Sequence, residues 1–240
     1  MSDPEVVQVQ IHKFDPGQDD EARLVTYEVP YDENMRVLDV LQYIYVELAP
    51  DIAFQYACRI GRCGTCAVKV NGRAILACQE RAKLDMTLEP ITPFPVMRDL
   101  VVDRTEINER FEELQLAPQR PEPHDGTIDE IHEDVAYKIG EMGTCIGCMI
   151  CVSSCPAVED RAFSGPAFIH QLRRLADHPS DTGPRLEQAM DSGMLECFGC
   201  DACVEMCPAE LSPIDAIRSF RREAIFDGGR KKRSATRKEA

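Results

Sequence analysis

The chain contains no tryptophan and no run approaching the ~18 apolar residues that a membrane-spanning helix needs. Any membrane attachment is therefore expected to come through another subunit. No basic segment followed by an apolar run opens the chain, so neither secretory export nor an oxidising compartment is indicated, and disulfide bonds are an unattractive use for cysteine. The net charge of −15 makes nucleic acid a poor candidate as a partner, while 44% hydrophobic residues allow a globular core.

Positive charge is concentrated only at the end of the chain. We expect this basic tail to be a solvated, disordered end, and a contact with anionic lipid or a partner is the alternative. Its basic residues are Arg230, Lys231, Lys232, Arg233, Arg237 and Lys238.

The first hundred residues are predicted to be rich in β-structure. Residues 7–11 alternate apolar and polar side chains, and a second such run follows the turn signal at residues 15–17, which predicts a hairpin. Apolar residues at helical spacing over 37–44 predict one helix, and residues 67–75 indicate a strand, an Asn-Gly turn and a strand. We expect this domain to span residues 1–104.

The pattern becomes helical after a proline-rich connection at residues 117–127. A helix is predicted to start at Gly165-Pro166, and His170 is placed on or near its polar side, in a solvated or capping role. The residues that share its apolar face are Phe168, Ile169, Leu172, Leu175 and Ala176.

A further helix is predicted to start at Ser212-Pro213, with Ile214, Ile217 and Ile225 facing inward. We therefore expect an all-α domain over residues 105–240. The fold class predicted for the whole chain is α+β.

Twelve cysteines fall into three groups of four, and the first group has the spacing of a plant-type 2Fe-2S site. Its members are Cys58, Cys63, Cys66 and Cys78, the last arriving from a later strand. Gly61 and Gly64 let the loop fold closely around sulfide. The alternatives are a zinc site or ordinary buried cysteines, but structural zinc prefers two well-separated pairs.

The other two groups repeat the run C-x2-C-x2-C-x3-C-P of bacterial ferredoxins, in which the fourth cysteine ligates the other cluster. One 4Fe-4S cluster is therefore predicted to be held by Cys145, Cys148, Cys151 and Cys207. The third cluster is predicted to be held by Cys155, Cys197 and Cys203, with Cys200 available as a fourth ligand. The N-terminal domain is thus expected to resemble a plant-type ferredoxin of the β-grasp type, and the C-terminal domain a two-cluster bacterial ferredoxin.

Further segments extend this pattern beyond the cysteines. They are residues 71–73 (NGR), 76–79 (LACQ), 94–103 (FPVMRDLVVD) and 163–167 (FSGPA). The run at 94–103 is hard to place in other electron-transfer proteins. With these segments the chain resembles, over nearly its whole length, the iron-sulfur subunits of succinate dehydrogenases and fumarate reductases.

The resemblance implies a relay from a flavoprotein subunit, whose FAD interconverts succinate and fumarate, through the 2Fe-2S centre, the 4Fe-4S centre and a third cluster near a quinone, with menaquinone expected. It also implies one or more membrane anchor subunits that bind haem or quinone. The chain would then lie peripherally on the cytoplasmic side of a bacterial inner membrane. It would contribute no catalytic residue and would position and tune cofactors.

Two departures from the family pattern concern the third cluster. Most members lack a cysteine at the position of Cys200 and carry a 3Fe-4S cluster, so this chain allows 4Fe-4S, which should lower the reduction potential; a free buried thiol is the alternative. Members that reduce ubiquinone usually carry a tryptophan after the proline matching Pro156 and a histidine after Cys197. Here Glu159 and Asp160 lie in the first region and Phe198 in the second.

Three functions follow from these observations. The leading prediction is an electron-transfer subunit of a succinate:quinone oxidoreductase, which belongs to an enzyme complex but is not catalytic alone. The second keeps the clusters but exchanges electrons with a non-quinone partner such as a thiol, a heterodisulfide or a soluble carrier. The third is a zinc-stabilised interaction module without redox activity.

Overall fold

A computed structural model describes residues 6–120, 130–159 and 163–236, with side chains described as far as residue 226. The described residues form two compact units, the first built from residues up to 106 together with 146–154, and the second from the rest. No described helix is both long enough and apolar enough to cross a bilayer. The domain boundary after residue 104 remains a prediction.

The first unit is built on a mixed five-stranded sheet in the order β2-β1-β5-β3-β4. Strands β1 and β5 run parallel, and the other neighbours are antiparallel. A separate two-stranded sheet pairs β6 with β7. The strands are β1 (Val6–Lys13), β2 (Arg23–Pro30), β3 (Ala67–Val70), β4 (Arg73–Leu76), β5 (Asp85–Glu89), β6 (Val96–Arg98) and β7 (Val101–Val102).

The two predicted hairpins are confirmed, and their side-chain pattern explains them. Alternate residues of β1 are buried, and Val7 and Ile11 pair with Val29 and Val25 across the hairpin. The turn between β3 and β4 has positive φ at both Asn71 and Gly72, as a two-residue hairpin turn requires. Register is set because a shift of one residue would move the buried valines to the solvent side.

The predicted helix of the first unit is also confirmed. Helix α1 (Val37–Tyr43) continues into a π-helical turn (Ile44–Leu48). Its buried side chains are Val37, Leu38, Val40, Leu41 and Ile44.

A buried charge cluster, formed by Lys13 and Asp99, lies beside the end of β1. The Asp99 carboxylate, 1% exposed, accepts from Lys13 Nζ at 3.1 Å and from the backbone N–H groups of Phe14 and Ala53 at 2.9 and 2.8 Å. Lys13 Nζ also donates to the exposed Asp51 at 2.9 Å. Asp99 therefore ties the end of β1 to the segment that precedes the first cysteine.

The described helices continue from α2 to α9, and α4 belongs to the first unit. In the second unit α6 packs against α3, α7 and α9. Their bounds are α2 (Thr105–Glu113), α3 (Glu133–Met142), α4 (Ile150–Ser153), α5 (Pro156–Glu159), α6 (Pro166–Ala176), α7 (Arg185–Asp191), α8 (Ala202–Glu205) and α9 (Pro213–Thr236).

The core of the second unit confirms the predicted faces of α6 and of the start of α9. Phe168, Ile169 and Leu172 of α6 are buried, as are Ile214 and Ile217 of α9. Helix α6 starts at Pro166, where the fixed φ of proline suits the first helical position. The all-α character of this part of the chain is therefore confirmed for the described residues.

Two residue placements predicted from the sequence are wrong. His170 is 3% exposed, and its Nε2 contacts the Met142 carbonyl at 3.0 Å, because α3 packs on that side of α6. Burial accordingly lowers the pKa of His170. Ile225 is 73% exposed, because this part of α9 has passed the core. The side chains of the basic tail and residue Asp160 lie outside the described part of the structure.

Candidate metal centres

The first cysteine group lies on a loop whose backbone is left-handed at three positions. Arg59, Gly61 and Gly64 have φ of 60°, 72° and 71°. Cys78 lies in the turn after β4, not within a strand, and the Ala77 N–H donates to the Cys66 carbonyl at 3.0 Å. This bond brings the segment of the fourth cysteine beside the loop that carries the other three.

Hydrogen bonds and burial shift the pKa values of Cys63 and Cys66 in opposite directions. A hydrogen bond from the backbone of Cys58 and then one from the hydroxyl of Thr65 lower the pKa of Cys63 to about 6. Burial raises the pKa of Cys66 to about 12, and its neighbours Cys78 and Cys63 add to this through charge. The structure therefore brings together Cys58, Cys63, Cys66 and Cys78, the four predicted 2Fe-2S ligands. The positive charge of bound iron would overcome the cost of ionising the buried thiol.

Backbone and side-chain donors point at two sulfurs of this group. The Arg62 N–H donates to Cys58 Sγ at 3.2 Å, and Gln79 Nε2 approaches Cys78 Sγ at 3.5 Å. Donors of this kind stabilise thiolates and tune the metals bound to them.

The loop of the first group touches the second cysteine run directly, within the first unit. A Cβ atom added at Gly64 would lie 2.8 Å from the Ile146 carbonyl oxygen and 2.9 Å from the Cα and Cβ of Cys148. Only glycine therefore allows the two cysteine-bearing backbones to approach this closely.

The internal repeat seen in the sequence is present in the backbone. Gly147 and Met149 have φ of 62° and 63°, and their counterparts Gly199 and Asp201 have 73° and 62°. A one-turn helix follows each pair, α4 in the first run and α8 in the second. The two cysteine runs, which have the same spacing, therefore have the same backbone conformation at corresponding residues.

The four predicted ligands of the 4Fe-4S cluster are divided between the two compact units. Cys148 and Cys151 belong to the first unit, and Cys145 and Cys207 belong to the second. The Leu211 N–H donates to Cys207 Sγ at 3.4 Å. This ligand set remains a prediction.

The predicted ligands of the third cluster line one small cavity within the second unit. Its four cysteine side chains are Cys155, Cys197, Cys200 and Cys203. Burial raises the pKa of Cys203 to about 12, and the three other thiols act on it in the same direction. Burial also raises the pKa of Cys155. Cys200 therefore faces the same space as the three other predicted ligands, and it is the exposed member of the set.

Phe198 also lines this cavity and is 65% exposed. It occupies the position where the resemblance places histidine in members that reduce ubiquinone.

The predicted donor sets consist of cysteine sulfur alone, which is the donor that iron-sulfur clusters use. Among the described residues, no group of three or more His, Cys, Asp or Glu side chains is placed to hold one metal ion. All twelve cysteines lie within the described residues, and none of them forms a disulfide bond.

Sequence reasoning missed two residues near the cysteines. Asp99 was part of a recognised segment, but no local signal indicated that it is buried and binds Lys13. Arg104 carried no signal at all, yet its guanidinium reaches the carbonyl oxygens of Gly147 and Cys148.

Comparison with known proteins agrees with this arrangement. A family model described as a 2Fe-2S iron-sulfur cluster binding domain matches residues 8–109, and one described as a 4Fe-4S dicluster domain matches residues 141–211. The two predicted classes of cluster-binding domain are thereby confirmed.

Two curated relatives extend the similarity to nearly the whole of this chain. The fumarate reductase iron-sulfur subunit of Haemophilus influenzae is 30% identical over 246 residues, covering 95% of this chain and 96% of the relative. A subunit of the fumarate reductase (CoM/CoB) of Methanothermobacter marburgensis is 36% identical over 225 residues, covering 93% of this chain. The chain spans only 45% of that methanogen relative, so less than half of its length is matched.

A solved structure shares the fold. A chain of the Mycobacterium smegmatis Sdh1 complex in the apo form superposes with a TM-score of 0.84 at 27% identity, covering 92% of this chain and 96% of the other. The predicted α+β architecture is thereby confirmed. By fold, by domain models and by identity along nearly its full length, this chain belongs to the family of iron-sulfur subunits of fumarate reductases and succinate dehydrogenases.

Proposed function

We propose that this chain is the electron-transfer subunit of a succinate dehydrogenase or fumarate reductase type complex, connecting an FAD-bearing flavoprotein subunit to a second redox partner. The observation that carries the proposal is the arrangement of twelve cysteines outside disulfide bonds, with complete sets of four at the first loop and at the cavity of the second unit. When bound, iron-sulfur clusters supply one-electron carriers at such sites.

The ligands proposed for the 2Fe-2S cluster are Cys58, Cys63, Cys66 and Cys78. Those for the 4Fe-4S cluster are Cys145, Cys148, Cys151 and Cys207, and those for the third cluster are Cys155, Cys197, Cys203 and Cys200. The chain itself shapes the loops with left-handed residues, aims N–H donors at sulfur and keeps Cys66 and Cys203 away from water.

The partners proposed are a flavoprotein subunit and one or more anchor subunits that bind haem or quinone. The chain would lie peripherally on the cytoplasmic side of a bacterial inner membrane. With no tryptophan available and Phe198 at the cavity, the leading candidate for the quinone is menaquinone rather than ubiquinone.

Reduction by substrate tests the proposal. In the purified native complex, succinate should reduce the first cluster and produce a 2Fe-2S signal in low-temperature electron paramagnetic resonance. Iron and acid-labile sulfide should be present after anaerobic purification. A complex that contains the clusters but gives no succinate-dependent signal would contradict the assignment, and a colourless preparation with bound zinc would favour the interaction module.

A second candidate function changes only the second redox partner. The methanogen relative is named for CoM/CoB, and the third cysteine group of this chain, with Cys200 and Phe198, departs from the pattern of members that reduce ubiquinone. Electrons would then be exchanged with a thiol, a heterodisulfide or a soluble carrier. Because less than half of the relative is matched, its activity does not transfer with the similarity.

A menaquinone analogue separates the two candidates. Quinone-dependent turnover in the isolated complex would support the first candidate and eliminate the second. Turnover with a heterodisulfide or a soluble carrier, but not with the quinone, would reverse that conclusion.

Substitution of Cys200 tests whether it is the fourth ligand of the third cluster. Since its side chain faces the same cavity as Cys155, Cys197 and Cys203, we expect it to complete a 4Fe-4S cluster. The air-oxidised wild-type protein should then lack a 3Fe-4S signal. The Cys200→Ala variant should show that signal and contain one iron fewer per chain.

Cys203→Ala is the control, because it removes a buried member of the same set. We expect it to lose the third cluster instead of converting it. A 3Fe-4S signal of equal size in the wild type and in Cys200→Ala would show that Cys200 is a free thiol.

A further inference from the structure

An arginine lies against the backbone of the second cysteine run. Arg104 is half-buried, and its Nη1 and Nη2 atoms donate to the carbonyl oxygens of Gly147 and Cys148 at 3.5 and 3.4 Å. All three residues belong to the first compact unit. Because a guanidinium is planar and rigid, two contacts to consecutive carbonyls fix the position of its charge beside Cys148.

This charge has no carboxylate within ion-pair distance among the described residues. Burial lowers the pKa of Arg104, and the charge of the Cys148 sulfur acts against that lowering. An arginine nevertheless remains protonated across the physiological range. A permanent positive charge therefore stands next to the thiol, partly desolvated, and the described partners of its N–H groups are carbonyl oxygens.

Half-buried cations are costly unless an anion faces them. Within the described part of the chain, the group that can become such an anion beside Arg104 is the sulfur of Cys148, which is a thiolate when it binds iron. A cluster held by thiolates would provide the missing negative charge. This step rests on the ligand set proposed above.

We propose that Arg104 is a positioning residue that raises the reduction potential of the 4Fe-4S cluster held through Cys148. Reduction adds one electron, and therefore one negative charge, to the cluster. A fixed positive charge stabilises the reduced form more than the oxidised form. Net charge and solvent exposure are among the factors that set the potentials of such clusters.

Two substitutions separate charge from hydrogen bonding. Arg104→Met removes the charge and keeps an unbranched apolar stem, while Arg104→Lys keeps the charge and loses the planar fork. Arg81→Met serves as a matched control, since Arg81 is an exposed arginine of the same unit that donates to the Glu33 carbonyl at 3.2 Å. It removes the same formal charge from a site whose hydrogen bond goes to no cysteine-bearing segment.

The measurement is a dithionite titration of the anaerobically purified complex, followed by low-temperature paramagnetic resonance. We expect Arg104→Met to make the equilibrium constant for reduction of this cluster about tenfold less favourable, which is about 59 mV for a one-electron couple. Arg104→Lys should retain most of the wild-type potential, and Arg81→Met should leave it unchanged.

The outcomes distinguish this inference from the proposed function. A wild-type complex without iron and sulfide would refute the function itself. Full cluster content in Arg104→Met with an unchanged potential would overturn only the role of Arg104. If Arg104→Met fails to hold the cluster, Arg104→Gln, which keeps an amide donor, is titrated instead. Loss of the cluster in both neutral variants would assign Arg104 a purely structural role and overturn the proposal.

Discussion

The Asp99→Ala variant is expected to lose about 3–5 kcal/mol of unfolding free energy, because it leaves the buried ammonium of Lys13 without its buried counter-charge. It also leaves the N–H groups of Phe14 and Ala53 without their acceptor. In a chain of this size such a loss lowers the melting temperature by on the order of 10 °C. Thermal unfolding under anaerobic conditions, followed by circular dichroism, measures it.

Asp51→Ala is the matched control for this prediction. Asp51 binds the same Lys13 Nζ, at 2.9 Å, but its side chain is 62% exposed. An exposed ion pair contributes about 1 kcal/mol or less, so this variant should unfold close to the wild-type temperature. Equal losses in the two variants would show that burial of the pair is not what stabilises this region.

The raised pKa of Lys13 predicts how the stability contributed by the buried charge cluster changes at alkaline pH. Desolvation lowers the pKa of Lys13, but the hydrogen bonds and charges of Asp51 and Asp99 outweigh it, so the pKa lies above its ordinary value. A raised pKa in a basic group means that the ion pair stabilises the fold at neutral pH. That contribution is lost only as the pH rises through the pKa of the folded state.

The Gly64→Ala variant is expected to lose about 2–5 kcal/mol, from a left-handed backbone and from overpacking against the second cysteine run. The added Cβ would meet backbone atoms of Ile146 and Cys148 at 2.8–2.9 Å, which cannot move independently of their loop. We therefore expect the first cysteine loop to shift and its cluster to bind less completely. Visible circular dichroism of the 2Fe-2S chromophore and the iron content measure that occupancy.

The Gly72→Ala variant separates the cost of the left-handed backbone from the cost of overpacking. Gly72 has a similar φ of 79°, but nothing lies within 4 Å of an added Cβ. This control should cost about 1–2 kcal/mol from backbone conformation alone and leave the cluster content unchanged. If both variants behave alike, close approach to Cys148 is not the reason for glycine at position 64.

Contact at Gly64 has a consequence for electron transfer. Cys66 and Cys148 are proposed ligands of different clusters, and the loops that carry them touch at Gly64 within one compact unit. Clusters held on two loops in contact would be close enough to exchange electrons without a domain movement. The glycine would then serve both the local turn and the spacing between the two proposed clusters.

Much of the fold could be predicted because its signals are local. The hairpins of β1–β2 and β3–β4 follow from alternation and from turn residues, and α1 follows from apolar residues at helical spacing. The same holds for the cysteine runs, in which Gly147 with Met149 and Gly199 with Asp201 repeat one backbone pattern. In each case the residues that decide the structure are only a few positions apart.

The wrong predictions concern residues whose surroundings come from distant parts of the chain. The sequence places His170 on the polar side of its helix, but α3 packs against that side and the Met142 carbonyl contacts the imidazole Nε2. Ile225 fits an apolar pattern but extends beyond the core that α9 helps to form. A helical pattern indicates which residues share a face, but not how much of that face a neighbour covers.

The amino-acid sequence by itself determined the number of cysteine groups, their spacing and the α+β order of the domains, because those depend on residues close together in the chain. Tertiary structure alone decided that Asp99 is buried against Lys13 and that Arg104 reaches the Cys148 carbonyl. Such contacts join residues separated by tens of positions, so they exist only once packing has brought the segments together.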